Sequence, residues 1–176
     1  MPAISASAPG KVILCGEHVV VYGYPAIALP VKAVSNRTRV YAHPAAPAGE
    51  VILNAPAIDL EAPLSSLSPG HPLRRSVELT LETLGVSSLP ACEIHVTSTI
   101  PLGAGLGSSA ATTVSIVRAV SAFLGHPLES DQVNRIAFEV EKIHHGTPSG
   151  IDNTVITYEV PILFQPDVDF QKIRVA

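Results

Sequence analysis

Three glycines spaced by single residues, Gly103-Ala104-Gly105-Leu106-Gly107, run directly into Ser108-Ser109 and then into an Ala- and Val-rich stretch that reaches Leu124. No other segment constrains the fold as tightly. Glycine admits positive φ and lets the backbone approach a ligand closely. A helix that opens straight after such a loop has unpaired N–H groups and a partial positive charge at its mouth. Loop and helix start together make a cradle for an anion, phosphate foremost. The hydroxyls of Ser108 and Ser109 can donate to phosphate or ligate a hard cation. The Gly-Lys-Ser/Thr ending of the Walker loop is missing, and the glycine spacing is not a dinucleotide fingerprint. Taken alone, the loop is equally open to reading as a structural turn.

Around this loop the chain alternates between strand and helix signals. Ile4 to Leu14 reads as two short strands around a turn at Ala8-Pro9-Gly10. Pro25 to Ala33, Thr38 to His43 and Glu50 to Asn54 read as further strands. Leu73, Val77, Leu81 and Leu84 share one helical face, with Gly85 at the position of a C-cap. Cys92, Ile94, Val96 and Ser98 alternate with Glu93, His95 and Thr97, as a half-buried strand requires. Ser130 is placed to cap a helix whose buried face is Val133, Ile136, Ala137 and Val140. Ile151 to Tyr158 reads as extended. Strands first, then helices mixed with strands, give an α+β, two-layer domain.

Two further groups carry chemistry. In Glu141-Lys142-Ile143-His144-His145-Gly146-Thr147-Pro148-Ser149-Gly150-Ile151-Asp152-Asn153, Glu141 lies late on its helix, beside the apolar face, and Asp152 follows a Pro/Gly loop. Phosphoryl transfer needs a metal ligand and a group that orients or deprotonates the attacking hydroxyl, and these two carboxylates can divide those roles. A solvated helix Glu and a turn-forming Asp are the plain alternative. His144 and His145 are adjacent on a helix and do not face the same way, which argues against joint ligation of one ion and for a role at the helix C-terminus. Near the N-terminus, alternation puts Lys11, Ile13 and Cys15 on one strand face. A lysine there can polarise a phosphate or substrate oxygen, or simply snorkel at the surface. Glu17 and His18 follow Gly16.

Composition limits the classes. Hydrophobic residues make up 47% and charged residues 15% of 176 residues, which fits one folded domain rather than a disordered chain. A net charge of −4 without Lys/Arg clusters argues against nucleic acid as a partner. No apolar run is long enough to cross a bilayer, and Met1 to Ser5 lacks the start of a signal peptide, so no membrane is expected and the cytoplasm is the default location. Cys15 and Cys92 lack partners at metal-finger spacing and read as reduced, packed thiols.

In conjunction these segments resemble one family, the GHMP small-molecule kinases. Ser7-Ala8-Pro9-Gly10-Lys11-Val12-Ile13-Leu14-Cys15-Gly16-Glu17-His18 is similar to that family's first motif. Pro101-Leu102-Gly103-Ala104-Gly105-Leu106-Gly107-Ser108-Ser109-Ala110-Ala111 is similar to its second, the ATP-phosphate loop. Val19 to Ala26 and His145 to Asn153 resemble the mevalonate kinase branch in particular. The resemblance implies a ribosomal protein S5 domain 2-like fold over residues 1–160. It implies ATP-dependent, Mg2+-assisted phosphorylation of mevalonate. Asp152 and Lys11 would be catalytic, Ser109 and Glu141 metal ligands, and Pro101, Gly103 to Ser109 and Ala110 the nucleotide cradle. Lys11, Glu17, His18 and Asp152 would line the substrate pocket, and a homodimer follows by analogy. The family's third motif, its ferredoxin-like second domain and the Gly-Gly pair after Tyr158 are not found. The chain is therefore expected to be the N-terminal portion of such a kinase, with residues 161–176 as an atypical tail.

Overall fold

The computed structural model describes residues 3–174 except 18, 48, 102 and 167, and His144 by its backbone only. Among them, seven strands form one sheet and four α-helices pack on it. Strand β1 (Ala3–Cys15) pairs antiparallel with β2 (Ala26–Ala42) along most of its length. The opposite edge of β2 is shared. Its second half pairs with β5 (Cys92–Ser98), and Ala26–Ala28 pair with β6 (Ile162–Phe164). Beyond β5 lie β3 (Val51–Ala55), the one parallel neighbour, and β4 (Leu60–Pro63). A two-residue β7 (Gln171–Lys172) closes a hairpin with β6. The α+β, two-layer architecture expected from the sequence is the one adopted.

Three expectations about elements change. Each of the first two strands is continuous, where two shorter strands were expected. A register shift between Pro9 and Gly10 leaves three residues of β2 without partners, so the Pro-Gly step becomes a bulge and not a turn. The third helix, α3 (Ser130–His145), starts one residue earlier than the Ser130 cap implied. Glu129 is the N-cap, its carboxylate accepting from the backbone at Gln132 while the Gln132 side chain accepts from the Glu129 N–H. The largest change concerns Ile151–Tyr158, which is helix α4 and not a strand. Its β-branched residues favour a strand locally, but Asn153 to Thr157 are all buried, and alternation cannot bury consecutive positions on one sheet face. Tertiary packing decides, with Gly150 at φ 87° turning the chain into the helix.

The first helix matches expectation: α1 (Pro72–Leu84) ends at Gly85, φ 67°, whose N–H returns to the last carbonyls. Helix α2 (Ser108–Phe123) is the centre of the domain. Ala110, Ala111, Val114, Ile116, Val117, Ala119 and Val120 are all fully buried, because α2 lies on the sheet and is flanked by α1, α3 and α4. Truncating one such side chain, Ile116 to Ala for instance, costs roughly 2–5 kcal/mol. The core also takes in Ile162 and Phe164, so the segment that sequence alone set apart as a tail contributes two strands to the same sheet and two side chains to the core. The thiols separate: Cys92 is buried as expected, whereas Cys15, at the end of β1, is exposed rather than packed. Among the described residues no helix is long and apolar enough to cross a membrane.

Candidate active site

The glycine loop sits where β1 meets the start of α2. Gly103, Gly105 and Gly107 all have φ near +70°, as the spacing requires. Gly107 is also the N-cap of α2. The first intrahelical bond runs from the Ala111 N–H to the Gly107 carbonyl, so the N–H groups of Ser108, Ser109 and Ala110 have no helical acceptor. Ala110 could contribute only that N–H to an anion cradle, since its side chain is in the core. Pro101 lies at the exposed start of the loop, and Leu102 is outside the described residues.

Two glycines allow the loop to press on β1. The Lys11 N–H donates to the Leu106 carbonyl at 2.9 Å. A Cβ at Gly10 would come 3.2 Å from that same carbonyl oxygen and 3.0 Å from Val34 Cγ2. A Cβ at Gly107 would come 2.8 Å from Lys11 Cγ and 2.9 Å from Ile156 Cδ1. The aliphatic stem of Lys11 therefore runs beneath the loop, and only 5% of the residue is exposed. A buried lysine needs a counter-charge. It has one: Nζ lies 3.1 Å from Asp152 Oδ2. Asp152 is held in the first turn of α4 rather than at a strand edge, with 29% of its side chain exposed.

The second pair lies at the mouth of α2. Ser109 Oγ donates to Glu141 Oε1 at 2.7 Å. Glu141 is 2% exposed, so it lies within the packed face of α3 and not beside it, as periodicity alone suggested. Its other oxygen is 3.5 Å from Nε2 of His145, one turn on. A hydroxyl and a carboxylate side by side at a helix N-terminus are hard oxygen donors, and they fit Mg2+, which keeps several waters and phosphate oxygens as its remaining ligands. Among the described residues there is no group of three or more His, Cys, Asp or Glu that could hold a metal ion by itself. Glu17 is exposed on the turn after β1 and makes no hydrogen bond or ion pair with Lys11 or Asp152; His18 lies outside the described residues.

Beside Ser108 and Ser109 opens a cleft of about 370 Å³. Ala57, Ile58, Leu73 and Val96 give it apolar walls, and Asn36 and Thr112 give it polar groups. Sequence reading missed this part of the site. Asn36 donates to Thr112 Oγ1 at 2.8 Å and accepts from Ser115 Oγ at 2.8 Å, and Ser115 in turn meets Thr38 at 2.8 Å. The signal was present as polar residues, Thr112 and Ser115, within a helix rich in Ala and Val, but only the sheet register shows that β2 supplies their partners.

A glycine loop feeding a helix mouth, flanked by a Lys–Asp pair and a Ser–Glu pair on an α+β sheet, defines a kinase-type domain distinct from the P-loop class. The chain belongs to the GHMP kinases: residues 72–159 match the model of the GHMP kinases N terminal domain. Among curated relatives, the mevalonate kinase of Pyrococcus horikoshii is 38% identical over 167 residues, covering 86% of this chain and 48% of the relative. The mevalonate kinase of Aeropyrum pernix is 41% identical over 159 residues, covering 87% and 48%. The crystal structure of the Methanococcus jannaschii mevalonate kinase superposes with a TM-score of 0.87 at 28% identity, over 99% of this chain and 56% of that one. The chain thus spans about half the length of the curated relatives it matches.

Proposed function

We propose that this chain supplies the nucleotide-binding and hydroxyl-activating residues of an ATP-dependent kinase that phosphorylates mevalonate to 5-phosphomevalonate, a step of isoprenoid synthesis carried out in the cytoplasm. The observation that carries the reading is the convergence of Lys11–Asp152 and Ser109–Glu141 on one glycine loop. The N–H groups at the start of α2 receive the phosphates. The neighbouring cleft, apolar with a few polar groups, has the character of a pocket for the nucleoside end of ATP. Asp152 orients the attacking hydroxyl and accepts its proton, while Lys11 stabilises the negative charge that develops on the oxygen. Ser109 and Glu141 would hold Mg2+, which neutralises phosphate charge when bound. Positioning and electrostatics suffice for such a transfer, without a covalent enzyme intermediate. Glu17 and His18 belong to the same proposal as substrate-binding residues, and a homodimer as the assembly.

The mevalonate assignment is supported by the names of the relatives, which are mevalonate kinases at 38% and 41% identity. The test is ADP release by the purified chain, alone and joined to the remaining half of a relative, against a panel of mevalonate, phosphomevalonate and homoserine. Mevalonate-dependent release supports the reading. Binding of Mg-ATP without release on any alcohol replaces it with a nucleotide-binding module.

A further inference from the structure

Helix α4 carries Asp152 in its first turn and is only eight residues long. A helix of two turns does not fix its own axis, because so few backbone bonds cannot offset the cost of forming it. Its placement must come from neighbours. At its start, Asp152 meets Lys11 of β1 at 3.1 Å. At its end stands a second cation that the proposed reaction does not use. Arg118, on α2, donates from Nη2 to the Thr157 carbonyl at 2.7 Å. Its Nη1 donates to Glu159 Oε1 at 2.7 Å and to the Ser7 carbonyl at 2.9 Å. Ser7 and Lys11 belong to the same strand. Helix α4 is therefore tied to β1 at both ends, by Lys11 at the start and by the Arg118 guanidinium at the finish.

The local backbone underlines this. Glu159 caps α4 with φ 55°, one of two non-glycine residues at positive φ among those described. A glutamate adopts that region only where its surroundings favour it. Here its carboxylate is drawn to Arg118, and the cation also complements the negative end of the helix dipole. The planar fork of an arginine reaches two carbonyls and a carboxylate together, which an ammonium does not do with the same geometry. Thr157 O, Ser7 O and Glu159 are three different attachment points, so the guanidinium restrains both sliding of α4 along β1 and rotation about its axis.

We infer that Arg118 is a positioning residue for Asp152, acting through the C-terminal end of α4 to hold the carboxylate in register with Lys11. The inference rests on the reading of Asp152 as the group at the substrate hydroxyl. Its test uses the 176-residue chain without nucleotide or substrate. The carboxyl carbon resonance of Asp152, assigned by its loss in Asp152→Asn, reports the Lys11 contact. Amide exchange in the first turn of α4 reports how firmly that end is held. Arg118→Met is expected to move the resonance and to speed exchange there at least tenfold. Arg118→Lys, which keeps the charge but not the fork, should recover part of both changes. Arg74→Met breaks an ion pair on α1 and should leave both signals in place. If Arg118→Met prevents folding, Arg118→Lys alone decides: a displaced signal supports the clamp and an unmoved one overturns it. A folded Arg118→Met chain with an unchanged resonance and exchange rate also overturns it. Both readouts are made without catalysis, so absence of mevalonate-dependent ADP release would refute the proposed function and leave this result standing.

Discussion

Lys11 and Asp152 form an ion pair at 3.1 Å in which the lysine side chain is 7% exposed and the aspartate 29%. The asymmetry sets what happens when the pair is broken. Asp152→Asn strands a buried ammonium, at a cost of about 1–3 kcal/mol, less than for a fully buried pair because solvent still reaches the aspartate. In any form of the enzyme that turns over mevalonate, the same change removes the group proposed to accept the hydroxyl proton. Its kcat is expected to fall by roughly 10²–10⁴-fold while Mg-ATP affinity is nearly retained. Steady-state kinetics with calorimetric nucleotide titration checks this, and retained turnover removes Asp152 from the mechanism.

Gly107 is the position where the loop can least tolerate a side chain. Its φ is 73°, and a Cβ would press both on the stem of Lys11 and on Ile156. Gly107→Ala is expected to cost about 1–3 kcal/mol and to weaken Mg-ATP binding by displacing Lys11. Gly103→Ala meets no atom within 4 Å and keeps only the backbone penalty, about 1 kcal/mol. Chemical denaturation of the two variants side by side separates contact from conformation.

The thiols should differ sharply in reactivity. Burial pushes the Cys92 thiol up to about 11, and the residue is 1% exposed. Cys15 is exposed. At neutral pH an alkylating reagent should modify Cys15 promptly and Cys92 only through opening of the core, slower on the order of 10³-fold or more. Peptide mass spectrometry over a time course checks the order, and rapid modification at Cys92 would contradict its placement.

Tyr158 sets an alkaline limit. Burial, then the hydrogen bond to Asp131 and that residue's charge, raise its hydroxyl from 10.0 to about 12. The folded state thus holds the proton more tightly than the unfolded chain does. The stabilisation is complete below pH 10 and is lost as pH rises through about 12. Tyr158→Phe should be less pH-sensitive than the parent across that window, measured as the difference in denaturation midpoint, and identical slopes would remove the contribution.

How far the sequence reached depended on whether a signal was local. The Gly85 cap, the alternation of β5 and the glycine loop are written in neighbouring residues, and each is found where it was read. Asp152 was singled out as a candidate but placed on the wrong element, because the β-branched run after it mimics a strand and only packing on α2 and α3 makes it a helix. The buried position of Glu141 could not be read from the helical period of α3, since it follows from the approach of Ser109 on another helix. Arg118 carried no local signal, because its three acceptors lie on β1 and at the end of α4.

Because β2 shares one edge between β5 and β6, the hairpin of β1 and β2 is flanked by the sixth of the seven strands described. A ribosome releases Ala26–Ala28 long before Ile162–Phe164, and the edge beside them stays bare until the late strand arrives. Contacts of such separation close slowly. Strand β1, which carries Lys11, is made early, whereas helix α4 with Asp152 emerges much later, so the Lys11–Asp152 pair is among the last contacts within these 176 residues to form.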